Sequence, residues 1–431
     1  MRHHSSVLCL ALAVGGFTAG STLTSSTTSS FVLTIGDGRV GLLFSGGAGR
    51  VTLGVSLAAG VAWGARVRSY RAFAAVVGLA LVAFSVAPSG GELAVYAAAS
   101  GAGMLLGSLA ATVPPLGVVH GQTALAAGAI AGILCAESLV RLRRESSPRR
   151  YADYLPSSAE PVDALPLVFV VAAALAVLVL MLQADTGTAA PEDVRLRGRG
   201  LLVGIILPAA WLILHWRFVG SVTGLYGGTA LPGWWWGGLA LIPVTVAMAA
   251  WIPGPAAAVL LAGTAVAFVA PSELAWYTEQ WWALLIPVAL VAFGSVAGTR
   301  IRRPGFGIAG LVVVIATALV DSPPWDSVQL IAVLGVFPLA AAFLIASCLP
   351  SEPAITVTAL AAPAAILVPL SAEYGWTAYT PLPGERIGST GLVSTVVTGT
   401  AIVALGAGIS WVRGRPDGDR NGSESGGSTE T

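Results

Sequence analysis

Gly60-Val61-Ala62-Trp63-Gly64-Ala65-Arg66-Val67-Arg68 and Gly294-Ser295-Val296-Ala297-Gly298-Thr299-Arg300-Ile301-Arg302 are two copies of one pattern, G-x-x-x-G-x-R-[VI]-R, set 234 residues apart. Each copy closes an apolar run, passes a short arginine-bearing link and leads into another apolar run. Glycines four apart let a helix approach a neighbour closely in lipid. The arginine pair suits a helix end, held at anionic headgroups or on the carbonyls of a facing helix. A repeat at this spacing predicts two related helical bundles in one polypeptide.

The surrounding composition agrees. The 431 residues are 55% hydrophobic and only 10% charged, with a mean hydropathy of +0.82. Soluble domains are nearer a quarter charged. The chain therefore reads as an all-α, polytopic transmembrane bundle, because the hydrocarbon core offers no partner to free backbone groups. Disordered, collagen-like and disulfide-rich classes are excluded. Cys9, Cys135 and Cys348 each sit in an apolar run and read as small hydrophobes. All 22 basic residues are arginine and the net charge is +1, with no basic stripe, so no nucleic acid is expected as a partner. No phosphate loop, metal cluster or nucleophile–base pair is readable, so no catalytic residue, metal or cofactor is expected and the chain does not read as an enzyme.

About fourteen runs have the length of a bilayer crossing: 7–26, 47–64, 72–88, 93–113, 117–139, 162–183, 200–216, 235–252, 254–270, 280–298, 306–320, 327–348, 353–371 and 390–411. The first also fits a cleavable signal, although a retained span suits the count. With this count four arginine clusters share a side with the N-terminus: Arg66/Arg68/Arg71, Arg195/Arg197/Arg199, Arg300/Arg302/Arg303 and Arg413/Arg415/Arg420. That side is predicted to be cytoplasmic. Opposite loops hold most of the acids and an interfacial tryptophan belt that includes Trp234, Trp235, Trp236, Trp276, Trp281, Trp282, Trp325 and Trp376. One loop dissents: Arg141, Arg143, Arg144, Arg149 and Arg150 fall on the acidic side.

The two copies resemble the loop motif of the major facilitator superfamily, G-x-x-x-G-x-L-x-D-R-x-G-[RK], found between the second and third spans of each six-span half. The second copy matches at Gly294, Gly298, Arg303 and Gly305. Arg68 and Arg302 replace the family's acid, and Ser69 and Arg71 stand where Arg and Gly are usual. The span count is similar to that of the fourteen-span drug:proton antiporter branch, in which two extra helices separate the halves. Ala97 stands where that family often has an arginine in span four, and span five lacks its Gly-Pro pair. The resemblance implies two pseudo-symmetric six-helix halves, 1–183 and 254–412, joined by 184–253 with the two extra spans, and a disordered cytoplasmic tail, 413–431. It also implies that Gly60, Gly64, Arg66, Arg68, Gly294, Gly298, Arg300, Arg302, Arg303 and Gly305 form cytoplasmic gating loops.

Ionisable and amide groups at bilayer depth are costly, and so mark function. His120, Gln122 and Glu137, all in the fifth run, are the candidates for a substrate or proton site. The expected function is a multi-pass plasma-membrane transporter with both termini cytoplasmic, moving an apolar or amphipathic small organic solute by alternating access. Its expected partners are the lipid bilayer and that solute; no protein partner is readable. The alternative is a non-transporting scaffold or assembly partner of a cell-envelope complex. A polyprenyl-phosphate glycosyltransferase fits poorly, because the loop 27–46 holds only Asp37 among acids.

Overall fold

A computed structural model describes residues 2–28, 47–65, 67–86, 91–113, 118–143, 164–183, 194–223, 236–270, 281–320, 326–365 and 389–415. Readings that concern Arg66, Arg420, the loops 29–46 and 144–163 and the tail 416–431 lie outside them. So do those on Trp234, Trp235, Trp276, Trp325 and Trp376.

The described residues are helical, with no strand among them. In chain order they form α1 (Arg2–Thr28), α2 (Gly47–Gly64), α3 (Arg68–Ser85), α4 (Gly91–Thr112), α5 (Val118–Arg143), α6 (Ala164–Gln183) and α7 (Val194–Thr223). A 3-10 turn leads into α8 (Leu241–Trp251), and another into α9 (Ala258–Val269). Then come α10 (Leu285–Ile301), α11 (Pro304–Thr317), α12 (Asp326–Ile331), a π turn, α13 (Phe337–Cys348), α14 (Pro353–Ala365) and α15 (Ser389–Arg413). Because α12 runs through its π turn into α13, these make fourteen helical rods among the described residues. Eight of the described helices are long and apolar enough to cross a membrane by length and composition.

Several ends correct the sequence reading. Arg195, Arg197 and Arg199 do not precede the seventh helix but lie in its first turns. Arg68 and Arg71 likewise open α3, Arg300 closes α10 and Gly305 lies inside α11. The long apolar stem of arginine lets a helix extend past the hydrocarbon edge while its charge reaches the headgroups. The second "loop" is therefore only Arg302 and Arg303: Arg302 takes a left-handed φ of 51° that ends α10, and Pro304 starts α11. The supposed disordered tail begins too early, since α15 includes Arg413.

The interior is built from small residues. Serine and threonine hydroxyls mostly donate back to carbonyls three or four residues earlier in their own helix, as do Ser21, Thr24, Ser108, Thr112, Thr264, Ser347 and Thr358. Such bonds satisfy the hydroxyl without tying helices together. Association therefore depends on close backbone contact. A methyl at Gly128 or Gly132 of α5 would stand 2.0 or 2.2 Å from the carbonyl oxygens of Ala13 and Phe17 on α1. Gly16 and Gly20 of α1 meet the Leu125 and Ala129 oxygens of α5 in return, at 2.6 and 2.3 Å. These interlocked glycines build α1 into the core.

The packing repeats. In the first set, α1 packs on α4, α5 and α6, α2 on α4, and α3 on α4 and α6. In the second set, α9 packs on α13, α14 and α15, α10 on α13, and α11 on α13 and α15. Contacts between the sets are reciprocal: α2 meets α14 while α5 meets α10, and α4 meets α14 while α5 meets α13. Exchanging the sets maps each of these contacts onto its mate, as a pseudo-twofold relation would, although α1 also meets α2 and α14 and α9 also meets α11. The helices around Gly60 and Gly294 therefore occupy equivalent places.

Their glycines do not act alike. In α10 a methyl at Gly294 or Gly298 would lie 2.4 Å from the Leu339 or Phe343 oxygen of α13. In the first set the close approach comes from the partner instead: Gly103 and Gly107 of α4 sit against the Gly54 and Ala58 oxygens of α2. Gly60 faces open space, and Gly64 meets the Tyr70 side chain of α3 rather than a helix backbone. The expectation that the glycine pair of each copy is a packing face holds for the second copy and fails for the first.

The two extra helices occupy one side. α7 packs on both α2 and α14, and so lies over the seam between the sets. Gly204 makes this possible, since a methyl there would lie 2.2 Å from the Ala59 Cβ and 3.1 Å from the Thr358 Oγ1. α8 packs on α7, α9 and α15.

Candidate functional site

Most described arginines with hydrogen bonds to distant backbone do one job at one end of the bundle. The last turn of a helix leaves carbonyls without partners, and the helix dipole makes that end attractive to cations. Arg71 donates to the Ala111 oxygen at the end of α4, at 3.2 Å, and Arg68 to the Met181 oxygen at the end of α6. Arg413 donates to the Ser347 oxygen at the end of α13, at 2.6 Å, and to the Arg302 oxygen, at 3.2 Å. Arg199 and Arg415 reach the Trp251 and Ala250 oxygens at the end of α8, at 2.9 and 3.0 Å. These ends share one face of the bundle. Trp281 and Trp282, exposed in the 3-10 turn just before α10, lie at the other.

The bonds of Arg68, Arg71 and Arg413 each stay within one helix set. The seam between the sets is bridged on the same face by a different group. Gln122, in the first turn of α5, is 2% exposed and pairs twice with the backbone of Ser351 in the α13–α14 link. Its Nε2 donates to the Ser351 oxygen at 2.6 Å, and its Oε1 accepts from the Ser351 N–H at 2.9 Å. The Ser351 hydroxyl donates in turn to the Ala256 oxygen, at 2.8 Å, just before α9.

The neighbouring Glu352 is buried and opens α14. Its carboxylate accepts the Ile355 N–H at 3.0 Å, with Pro353 at the first helical position. An acceptor before a proline that lacks an N–H is a good helix start. Gly200 of α7 packs on this carboxylate, where a methyl would come within 2.5 Å of Oε2. Thus α5, α9, α14 and α7 meet at one junction that holds the seam closed on the arginine-rich face.

The three expected site residues do not converge. Gln122 is central to the junction. His120 is exposed on the same first turn of α5. Glu137 is half-buried, fifteen residues further along the helix, so about 22 Å away from Gln122 along its axis. Cys135 and Cys348 are buried free thiols and Cys9 is half-buried. Sequence reasoning missed Ser351 and Glu352, which it left in a short link. The Ser-Glu-Pro start of α14 was the signal available.

No family model matches the chain, and no curated protein matches it. Among solved structures, the chain is similar to the inward-open xylose transporter XylE from E. coli, with 15% identity over 96% of this chain and 98% of that one and a TM-score of 0.49. The E. coli fucose:proton symporter FucP gives 14% identity, 95% and 98% coverage and a TM-score of 0.47. The human organic anion transporter MFSD10 gives 11% identity, 96% and 98% coverage and a TM-score of 0.45. The architecture rests on the helix packing described above, not on these likenesses.

Proposed function

We propose that this integral membrane protein is a transporter similar to the major facilitator superfamily, in which the bundles 1–183 and 254–412 rock against each other and 184–253 supplies the two additional helices. The reciprocal contacts between the sets carry this reading. A pseudo-twofold pair of bundles can open on one face as it closes on the other, which alternating access requires. In this reading the Gln122–Ser351 junction is the contact that must part, and the arginine-bearing links bound the rims that separate. Arginine excess supports a cytoplasmic rim, with both termini on that side of the plasma membrane. The solute is a small apolar or amphipathic molecule, because the buried side chains of the helices that meet at the seam are apolar or hydroxyl-bearing, apart from Arg50, Gln122 and Glu352 near helix ends.

Cross-linking tests the reading. In a background with the three native cysteines replaced, Gln122→Cys with Ser351→Cys should form a disulfide on oxidation. Solute flux in proteoliposomes should stop and return with reductant. Unchanged flux across a fully cross-linked seam would rule out rocking at this interface. Orientation has its own check: Arg149→Cys should react with an impermeant maleimide added outside intact cells. Labelling only after the membrane is opened would reverse the assignment.

A further inference from the structure

The end of α8 gathers two arginines and two tryptophans that the transport reading does not use. Arg199 comes from α7 and Arg415 from just beyond α15, so the two guanidinium groups arrive from different helices at the adjacent carbonyls of Trp251 and Ala250. Each also lies over an indole: Arg199 stands 5.7 Å from the centre of the Trp251 ring, and Arg415 3.5 Å from that of Trp411. The rings face outward, at 41% and 52% exposure, and Leu202 beside Arg199 on α7 is 45% exposed.

Two like charges share one helix end here. The end of the helix dipole supplies only about half a negative charge to offset them. Each arginine uses one nitrogen on a carbonyl, and a guanidinium has five N–H donors. Among the described residues neither arginine has an ion-pair partner. The cluster lies where three helices reach the arginine-rich face of the bundle, with apolar rings on its outer side. We propose that it binds the headgroup phosphate of an anionic phospholipid, with the phosphate between Arg199 and Arg415 and the glycerol and upper acyl chain against Trp251 and Trp411. Paired arginines favour an oxyanion, and the exposed rings select a lipid over a free ion.

The test titrates the purified full-length protein in neutral detergent with phosphatidylglycerol, phosphatidylcholine or inorganic phosphate while following thermal unfolding. Phosphatidylglycerol should raise the midpoint, and the other two should not. Arg199→Gln with Arg415→Gln should weaken the phosphatidylglycerol response roughly thirtyfold in lipid concentration, taking about a factor of five for each basic residue. Arg303→Gln, on the same face, should keep the full response. If the double variant does not fold, Arg415→Gln alone carries the comparison, with a loss of about fivefold. An equal response to phosphatidylcholine would overturn the site. So would a phosphatidylglycerol response that survives in the arginine variant. An equal response to inorganic phosphate would make it a free-anion site, and overturn the lipid assignment.

Discussion

Gly294→Leu is expected to leave little folded protein, while Gly60→Leu leaves it at wild-type level. The two positions are equivalent in the repeat and lie on equivalent helices. Their surroundings decide the outcome. At Gly294 even the first carbon of a side chain would stand 2.4 Å from the Leu339 oxygen and 3.2 Å from its Cα. Those are backbone atoms of a buried helix, so relief requires α10 and α13 to separate along their length. Forcing extra carbons into a packed interior costs about 1–3 kcal/mol and occasionally more. Leucine here also removes a small-residue contact on which membrane helices depend. At Gly60 nothing lies within 4 Å, and the new side chain enters open space. Size-exclusion profiles and thermal midpoints of the two variants, extracted in parallel, read the difference. Equal behaviour would mean that the α10–α13 contact is not as close as described.

The second large effect is expected at Gln122. Gln122→Leu keeps the volume but leaves the N–H and C=O of Ser351 without their partners across the seam. Each of these two unsatisfied buried groups costs about 1–3 kcal/mol, so the closed junction loses at least about a factor of ten relative to the open one. Thr356, fully buried on α14, reports this opening. In the cysteine-free background, Thr356→Cys should be alkylated about tenfold faster once Gln122→Leu is added. Gln122→Glu tests the same geometry, because a carboxylate can accept from the Ser351 N–H but cannot donate to its carbonyl. It should fall between the two. An unchanged alkylation rate in both variants would show that the junction does not control access.

The sequence made much of this architecture readable. Apolar runs and arginine clusters located the helices, because lipid allows few alternatives for a backbone that must satisfy itself. The extra helices were also legible, although α7 proved longer than its apolar run. What stayed hidden depended on rotation about helix axes and on contacts far apart in sequence. The pattern Gly60–Gly64 looks the same as Gly294–Gly298, yet only the second pair meets the backbone of a neighbouring helix. Gln122 stood out as a polar group near a helix start, but its partner is 229 residues away. His120 and Glu137 stood out for the same chemical reason and are not brought to it, because position along a single helix separates them.

The position of α7 makes the two sides of the molecule unequal. The α2–α14 seam carries a helix from outside both sets, and among the described residues the matching α5–α10 seam carries none. Symmetric rocking would shear α7 against two moving surfaces at once. In the proposed transport cycle, motion that spares those contacts would swing about the α7 side, as a door turns on its hinged edge, and would widen most along α5 and α10. Solute entering from the lipid or the water at that free edge would meet the shortest path inward.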